Sequence, residues 1–268
     1  MFFTHSSTSS IGYWFTGADE HQNLIVGNKV KNAHRGPPWM VVDQTISSVI
    51  VTARHWPGRL WRVRVIRMGD MSGLVANPGY WRASKIELIE ALSCGVLFGM
   101  AGEAIVTLLQ DIKRIDTERA ALLQTNLPAD AQQLWQLAWK NWNRRLPSPR
   151  TEYDDENEEL TLGWPGRDDQ EVSPVGRGFM LAQELFRQHV RETQGSAAFI
   201  RVEEDGETEE YLTPLWSAAI RALLFRMMAL AEREYLSPSE FAQLSQSWNA
   251  VFVGKPCIRD RPGGCGRV

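Results

Sequence analysis

Apolar residues in the first 85 positions come in short runs punctuated by Gly, Pro and Asn, the rhythm of strands and turns. Met1 to Thr4, Trp39 to Asp43 and Leu60 to Ile66 are the clearest of these runs. In the last of them Arg62 and Arg64 alternate with Trp61, Val63 and Val65, with Arg67 a step later, so the segment predicts a strand with one wet face. Arginines lined up on such a face can meet an anion, or they can simply keep a solvated strand soluble.

From Ser84 the spacing lengthens to that of helices, first at Ile86, Leu88, Ile89 and Leu92, later at Ile105, Leu108, Leu109 and Ile112. The apolar stretch from about Leu88 to Leu109 is interrupted by Ser93, Gly95, Gly99, Gly102 and Glu103. It therefore predicts a buried hairpin of helices rather than a lipid-spanning one. Ala129 to Leu146 sets Leu134, Trp135, Ala138, Trp142 and Leu146 on one stripe and is closed by Pro147, which predicts an amphipathic helix. Trp135, Trp139 and Trp142 could form a stacking platform, although tryptophans at this spacing more often fill a core or an interface.

Arg150 to Ser173 is acidic and poor in apolar residues, with Glu152, Asp154, Asp155, Glu156 and Glu158 close together. It lacks the fixed spacing of a calcium loop, so solvated, self-repelling charge is expected there and no metal. Beyond it, Phe179 to Glu192 reads as a helix. Ala198 to Val202 and Glu210 to Leu212 flank Asp205-Gly206, a strong hairpin signal. Trp216 to Tyr235 is a long apolar helix, and Ser237-Pro238-Ser239-Glu240 is a capping box that opens a last helix reaching about Val251.

The pattern as a whole predicts an α+β protein. A small N-terminal mixed sheet domain spans residues 1–92, a helical segment 93–149 and an acidic loop or linker 150–173. A helical region with one hairpin covers 174–254, followed by a flexible tail at 255–268. Charge adds little direction, because 29 basic and 32 acidic residues leave a net charge of −3 and no global field toward nucleic acid or an anionic membrane. Cys94, Cys257 and Cys265 are an odd, widely spaced set, which fits a reducing compartment and makes no zinc site. The start MFFTHSSTSS lacks a basic flank and apolar core, so a cytoplasmic protein is expected. Phosphate-loop, dinucleotide-loop, nucleophile-elbow and HExxH signatures are all missing, and the five histidines are scattered.

The segment order of the first 92 residues carries one further pattern. Phe2-Phe3-Thr4-His5-Ser6-Ser7-Thr8 is an apolar strand ending in a histidine and hydroxyls, followed by Asn23 to Asn28. Met40 to Ala53 reads as a strand entering a short helix, Arg59 to Ile66 as a strand, and Tyr80-Trp81-Arg82-Ala83-Ser84 to Ile89 closes the series. This order resembles the compact ADP-ribosyltransferase-like fold of the small rifamycin ADP-ribosyltransferases and tRNA 2′-phosphotransferases, over about a third of the chain.

The resemblance implies NAD as substrate, cleaved at its nicotinamide–ribose bond, with ADP-ribose passing to an acceptor. His5 would match the first-strand histidine that contacts the nicotinamide ribose, and Ser6 and Ser7 stand where Gly-Thr/Ser is usual. Asp70 falls near the family's acidic residue, with Glu87 and Glu90 as competing carboxylates, and Val41 stands where the family places a stacking tyrosine. Trp39, Tyr13 or Trp14 could supply that ring from a neighbouring position. A carboxylate there would stabilise an oxocarbenium-like centre, and Arg62 or Arg64 could hold the pyrophosphate. The alternative is a non-catalytic protein that keeps such a fold and binds a protein partner through its tryptophan-rich helices and acidic loop.

Overall fold

The computed structural model describes residues 10–17, 23–33, 36–73, 79–144, 174–204 and 207–253. Strands β1 (Ile11–Gly17), β2 (Lys29–Lys31), β3 (Met40–Asp43), β4 (Gly58–Met68) and β5 (Tyr80–Leu92) come before every α-helix. All their pairings are antiparallel: β1 with β3 and β4, and β5 with β2, β3 and β4. The ring β1, β4, β5, β3 therefore closes into a small barrel, with β2 attached to β5. Closure satisfies the backbone groups that an open sheet would leave along its edges.

The seam between β1 and β3 is narrow. Tyr13 lies opposite Asp43, and a Cβ on Gly12 would stand 2.3 Å from the Asp43 carbonyl oxygen, so only glycine fits. Alternation along β4 sends Trp61 and Val63 inward, where they pack with Trp14, Val42, Ala83, Ile86 and Leu88. Arg62 and Arg64 face out into water, as their spacing predicts, whereas Leu60 on that same outer face is covered by the helices.

The helical expectation from Ser84 to Leu92 is corrected: these residues end the long strand β5. The register shift between Arg67 and Met68 places one extra residue, Ser84, in β5, and its hydroxyl donates to the carbonyls of Arg67 and Met68 at 3.3 and 3.2 Å. This bulge changes the phase of the alternation, so that inward Ala83 is followed by Ile86 and Leu88. Read without the bulge, that spacing imitates a helix. The expected hairpin of helices after it is instead a short 3₁₀ turn, Cys94–Phe98, followed by α1 (Gly102–Asp111).

Helices α1, α2 (Thr117–Thr125), α3 (Ala131–Arg144), α4 (Pro174–Gln194), α5 (Pro214–Ala231) and α6 (Pro238–Trp248) make the second layer. Hairpin β6 (Phe199–Glu204) and β7 (Glu207–Leu212) lies between α4 and α5, with Glu204 paired to Glu207 as the Asp205-Gly206 signal predicts. Eleven of the 18 residues of α5 are buried, because this helix touches all five of the other described α-helices. Its length and composition also suit a membrane span, but most of that window is enclosed by its neighbours, as a core helix must be. The capping box at Ser237 forms, each partner bonding the other's backbone N–H, and it fixes the start of α6.

Arg177 on α4 ties the two layers together. It is 4% exposed and donates to the carbonyls of Leu97, at 2.8 Å, and Ser47, at 2.5 Å. Burial draws its pKa down to about 10 while the charge of Asp43 opposes that, so the guanidinium stays protonated at neutral pH. The predicted strand at Met1 to Thr4, the acidic segment at 150–173 and the tail at 255–268 lie outside the described residues.

Candidate functional site

His5, Ser6 and Ser7 lie outside the described residues. The first barrel strand among those described is Ile11–Gly17, where Trp14 points into the barrel core and Tyr13 packs toward the helices. Trp39 covers the backbone at Gly69, and Val41 is an exposed residue of β3.

Asp70 closes a turn just past β4. Its Oδ1 accepts from the Ser72 backbone N–H at 2.8 Å, and this bond, helped by the Ser72 side chain and the Arg82 charge, holds the carboxyl below its ordinary pKa. A fully solvated acid in that state acts as a turn cap and an acceptor, with no tendency to carry a proton at neutral pH. Arg62 and Arg64 pair across the β4–β5 ladder with Glu90, at 3.6 Å, and Glu87, at 2.7 Å. The two candidate pyrophosphate ligands and the two competing acids thus neutralise one another on the barrel wall.

On α3, Trp135 is buried and Trp139 is partly buried against the same core. Trp135 stacks on Trp139 at 5.9 Å and meets Phe179 at 5.5 Å and Phe225 at 5.4 Å, and Trp216 and Trp248 are also buried. These rings fill the helical core rather than offer a platform to a ligand. Among the described residues no group of three His, Cys, Asp or Glu is placed to hold a metal ion.

A concave site does form where the barrel meets the helices. A cleft of about 430 Å³ is walled by Trp56, Pro57, Leu109, Ile112 and Leu185, with Gln110, Lys113, Gln188 and Glu192 at its mouth. The loop carrying Trp56 is anchored to α4, since the backbone N–H of Ala53 donates to Glu184 Oε2 at 3.0 Å. Trp56 is held from behind by Phe98, edge to face at 5.8 Å.

His189, half-buried on α4, lines the same cleft. Its Nε2 lies 2.9 Å from the Ile115 carbonyl oxygen. A carbonyl can only accept, so Nε2 carries the hydrogen, and in the neutral ring Nδ1 is left as an acceptor. The arrangement can therefore hold an apolar group and pair with one donor, between a cation and a carboxylate at the rim.

Sequence reasoning missed this cleft because its walls come from three distant segments, 53–57, 109–113 and 185–192, that share no spacing. A partial signal was present in α4, where Gln188, His189 and Glu192 fall within one turn of each other beside apolar Leu185. Comparison with family models, curated proteins and solved structures found no match for this chain.

Proposed function

We propose that the protein is a non-catalytic binding protein that takes an apolar side chain of a protein partner into the cleft between the barrel loop and α4. The observation that carries this is the cleft itself: an aromatic and aliphatic wall, a half-buried histidine fixed through Nε2 to the Ile115 carbonyl, and a rim bearing Lys113 and Glu192. Rim charges of both signs suit a peptide, whose backbone offers donors and acceptors together, better than a ligand of single sign.

Transfer of ADP-ribose from NAD is the second possibility; strands at Met40–Asp43, Gly58–Met68 and Tyr80–Leu92 fall on three of the segments that carry the resemblance, whereas Asn23 to Asn28 is turn. It requires His5 beside Asp70 and a pyrophosphate ligand other than Arg62 and Arg64 as they stand paired.

One experiment separates the two. Purified protein is incubated with NAD while free nicotinamide and melting temperature are followed, with His5→Ala alongside, and a pull-down compares wild type with Gln188→Trp, which fills the mouth of the cleft. Binding without catalysis predicts no nicotinamide release and a partner that wild type captures and Gln188→Trp loses. Nicotinamide release that His5→Ala abolishes would establish the transferase instead. A partner retained equally by Gln188→Trp would remove the cleft from the account.

A further inference from the structure

Four arginines surround the base of the β6–β7 hairpin, and among the described residues only two of them meet a carboxylate. Glu210 receives Arg191 at 2.5 Å and Arg201 at 2.9 Å, and these two hold its carboxyl below the ordinary range. Arg187 of α4 donates through Nη2 to the backbone oxygen of Glu210 at 2.7 Å and lies over the Phe199 ring at 5.6 Å, neither of which cancels its charge. Arg221 of α5 is half-buried and has no hydrogen-bond or ion-pair partner among the described residues. Burial alone lowers its pKa, the mark of a cation whose desolvation nothing offsets.

Arg187 and Arg221 open into one hollow of about 200 Å³, which they line with Gln183, Tyr211, Ser217 and Ile220. The Ser217 hydroxyl is taken by the Leu212 carbonyl at 3.0 Å, and the Tyr211 hydroxyl donates to the Glu209 carboxylate. The donors left for a ligand are the Arg221 guanidinium, the remaining N–H groups of Arg187 and the Gln183 amide. Each offers N–H donors and two of the three are charged. The space is too small for a nucleotide but admits a single tetrahedral anion with a short stem against Ile220.

We propose that this hollow binds a phosphate monoester in its dianionic form. Two guanidinium groups without carboxylates of their own match a charge near −2, and their planar forks suit phosphate oxygens in paired hydrogen bonds. A monocarboxylate would leave one of the two cations uncompensated. A phosphorylated side chain and a small sugar phosphate share this chemistry. The site is separate from the barrel–helix cleft and does not depend on the function proposed for it.

The test is a titration of the full chain with O-phosphoserine, glucose 6-phosphate and acetate at constant ionic strength. Melting temperature is followed because a ligand of the folded state raises it by mass action. Both phosphate esters are expected to raise it in a saturable way, at lower concentration than acetate, and Arg221→Met to weaken that binding at least tenfold. Tighter binding of phosphoserine would assign a phosphorylated side chain as the occupant, and tighter binding of glucose 6-phosphate a sugar phosphate. Without ligand, Arg221→Met should melt no lower than wild type, since it removes an uncompensated charge. Arg221→Lys, which keeps the charge and loses the fork, should bind several-fold more weakly and serves if the methionine variant fails to fold. Arg62→Gln, on the barrel wall, should bind as wild type does. No saturable shift with either ester, equal shifts with acetate, or undiminished binding by both Arg221 variants would each overturn the site.

Discussion

The barrel and the helical layer bury their apolar residues by different means. Among the described residues, eight buried hydrophobics fill the barrel and its flank at β2, five of them from β4 and β5. Thirty-two make the cluster around α5, Leu60 and Val49 from the barrel side among them. Burial of apolar surface therefore stabilises mainly the helical layer, while the barrel leans on its closed hydrogen-bond ladder and on the helices that cover its outer face. The barrel should not be independent of the layer it rests on.

Leu223 in the middle of α5 offers the most severe way to break that asymmetry. It is wholly buried, and Leu223→Ala removes its side chain from the centre of the larger cluster at a cost of about 2–5 kcal/mol. The expected outcome in denaturant is a lower midpoint with a single transition seen by both far-ultraviolet circular dichroism and tryptophan fluorescence. Two separated transitions would mean that the barrel stands alone, contrary to its small interior.

Arg177 tests the joint rather than either layer. Arg177→Met keeps bulk but leaves the Leu97 and Ser47 carbonyls without their charged donor, which costs about 2–4 kcal/mol. The variant is expected to lose stability and to show the barrel probes melting ahead of the helical ones, as a barrel that depends on its cover would, because the bonds it loses reach from α4 to the loop after β3 and to the turn after β5. A shift within about 0.5 kcal/mol of wild type would show that apolar contacts alone hold the layers.

The same contrast decides what could be read from the chain. Helices announce themselves locally: the Ala129 to Leu146 stripe, the Phe179 to Glu192 run and the Ser237 capping box all became helices near the expected places. Strand β4 was legible because its alternation is unbroken from Trp61 to Arg64. Strand β5 was misread because its bulge at Ser84 depends on a partner strand that no local pattern names. The arginines of the barrel wall had the right composition for an anion site, but the acids that neutralise them, Glu87 and Glu90, lie on another strand. The cleft and the hollow at Arg221 depend on residues far apart in sequence, so neither left a motif.

A smaller effect is expected where local structure is specified redundantly. Ser237→Ala removes the side chain that accepts from the Glu240 backbone N–H at 3.3 Å, while Pro238 still favours a helix start. Loss of such a cap costs about 1 kcal/mol, measurable as a shift in the denaturant midpoint at unchanged slope. A loss above about 3 kcal/mol would mean that α6 holds more of the helical cluster than Leu244 and Trp248 suggest.

The smallest effect should come from the barrel wall. Arg62 and Glu90 are each about half exposed, with side-chain exposures of 47% and 52%, and their 3.6 Å separation is that of a loose pair in water. Arg62→Gln should therefore change stability by no more than about 0.5 kcal/mol, and the change should vanish when salt is raised. The three arginine settings then fall in order of what surrounds them. Arg177 is enclosed and bonded to two backbone carbonyls, so its removal damages the fold; Arg62 is solvated and paired, so its removal does little. Arg221 is half-enclosed without a counter-charge among the described residues, and its removal should spare the fold while changing what the protein binds. An Arg62→Gln variant that lost as much stability as Arg177→Met would break this ordering and show that the exposed β4–β5 pairs, rather than the helical cover, keep the barrel closed.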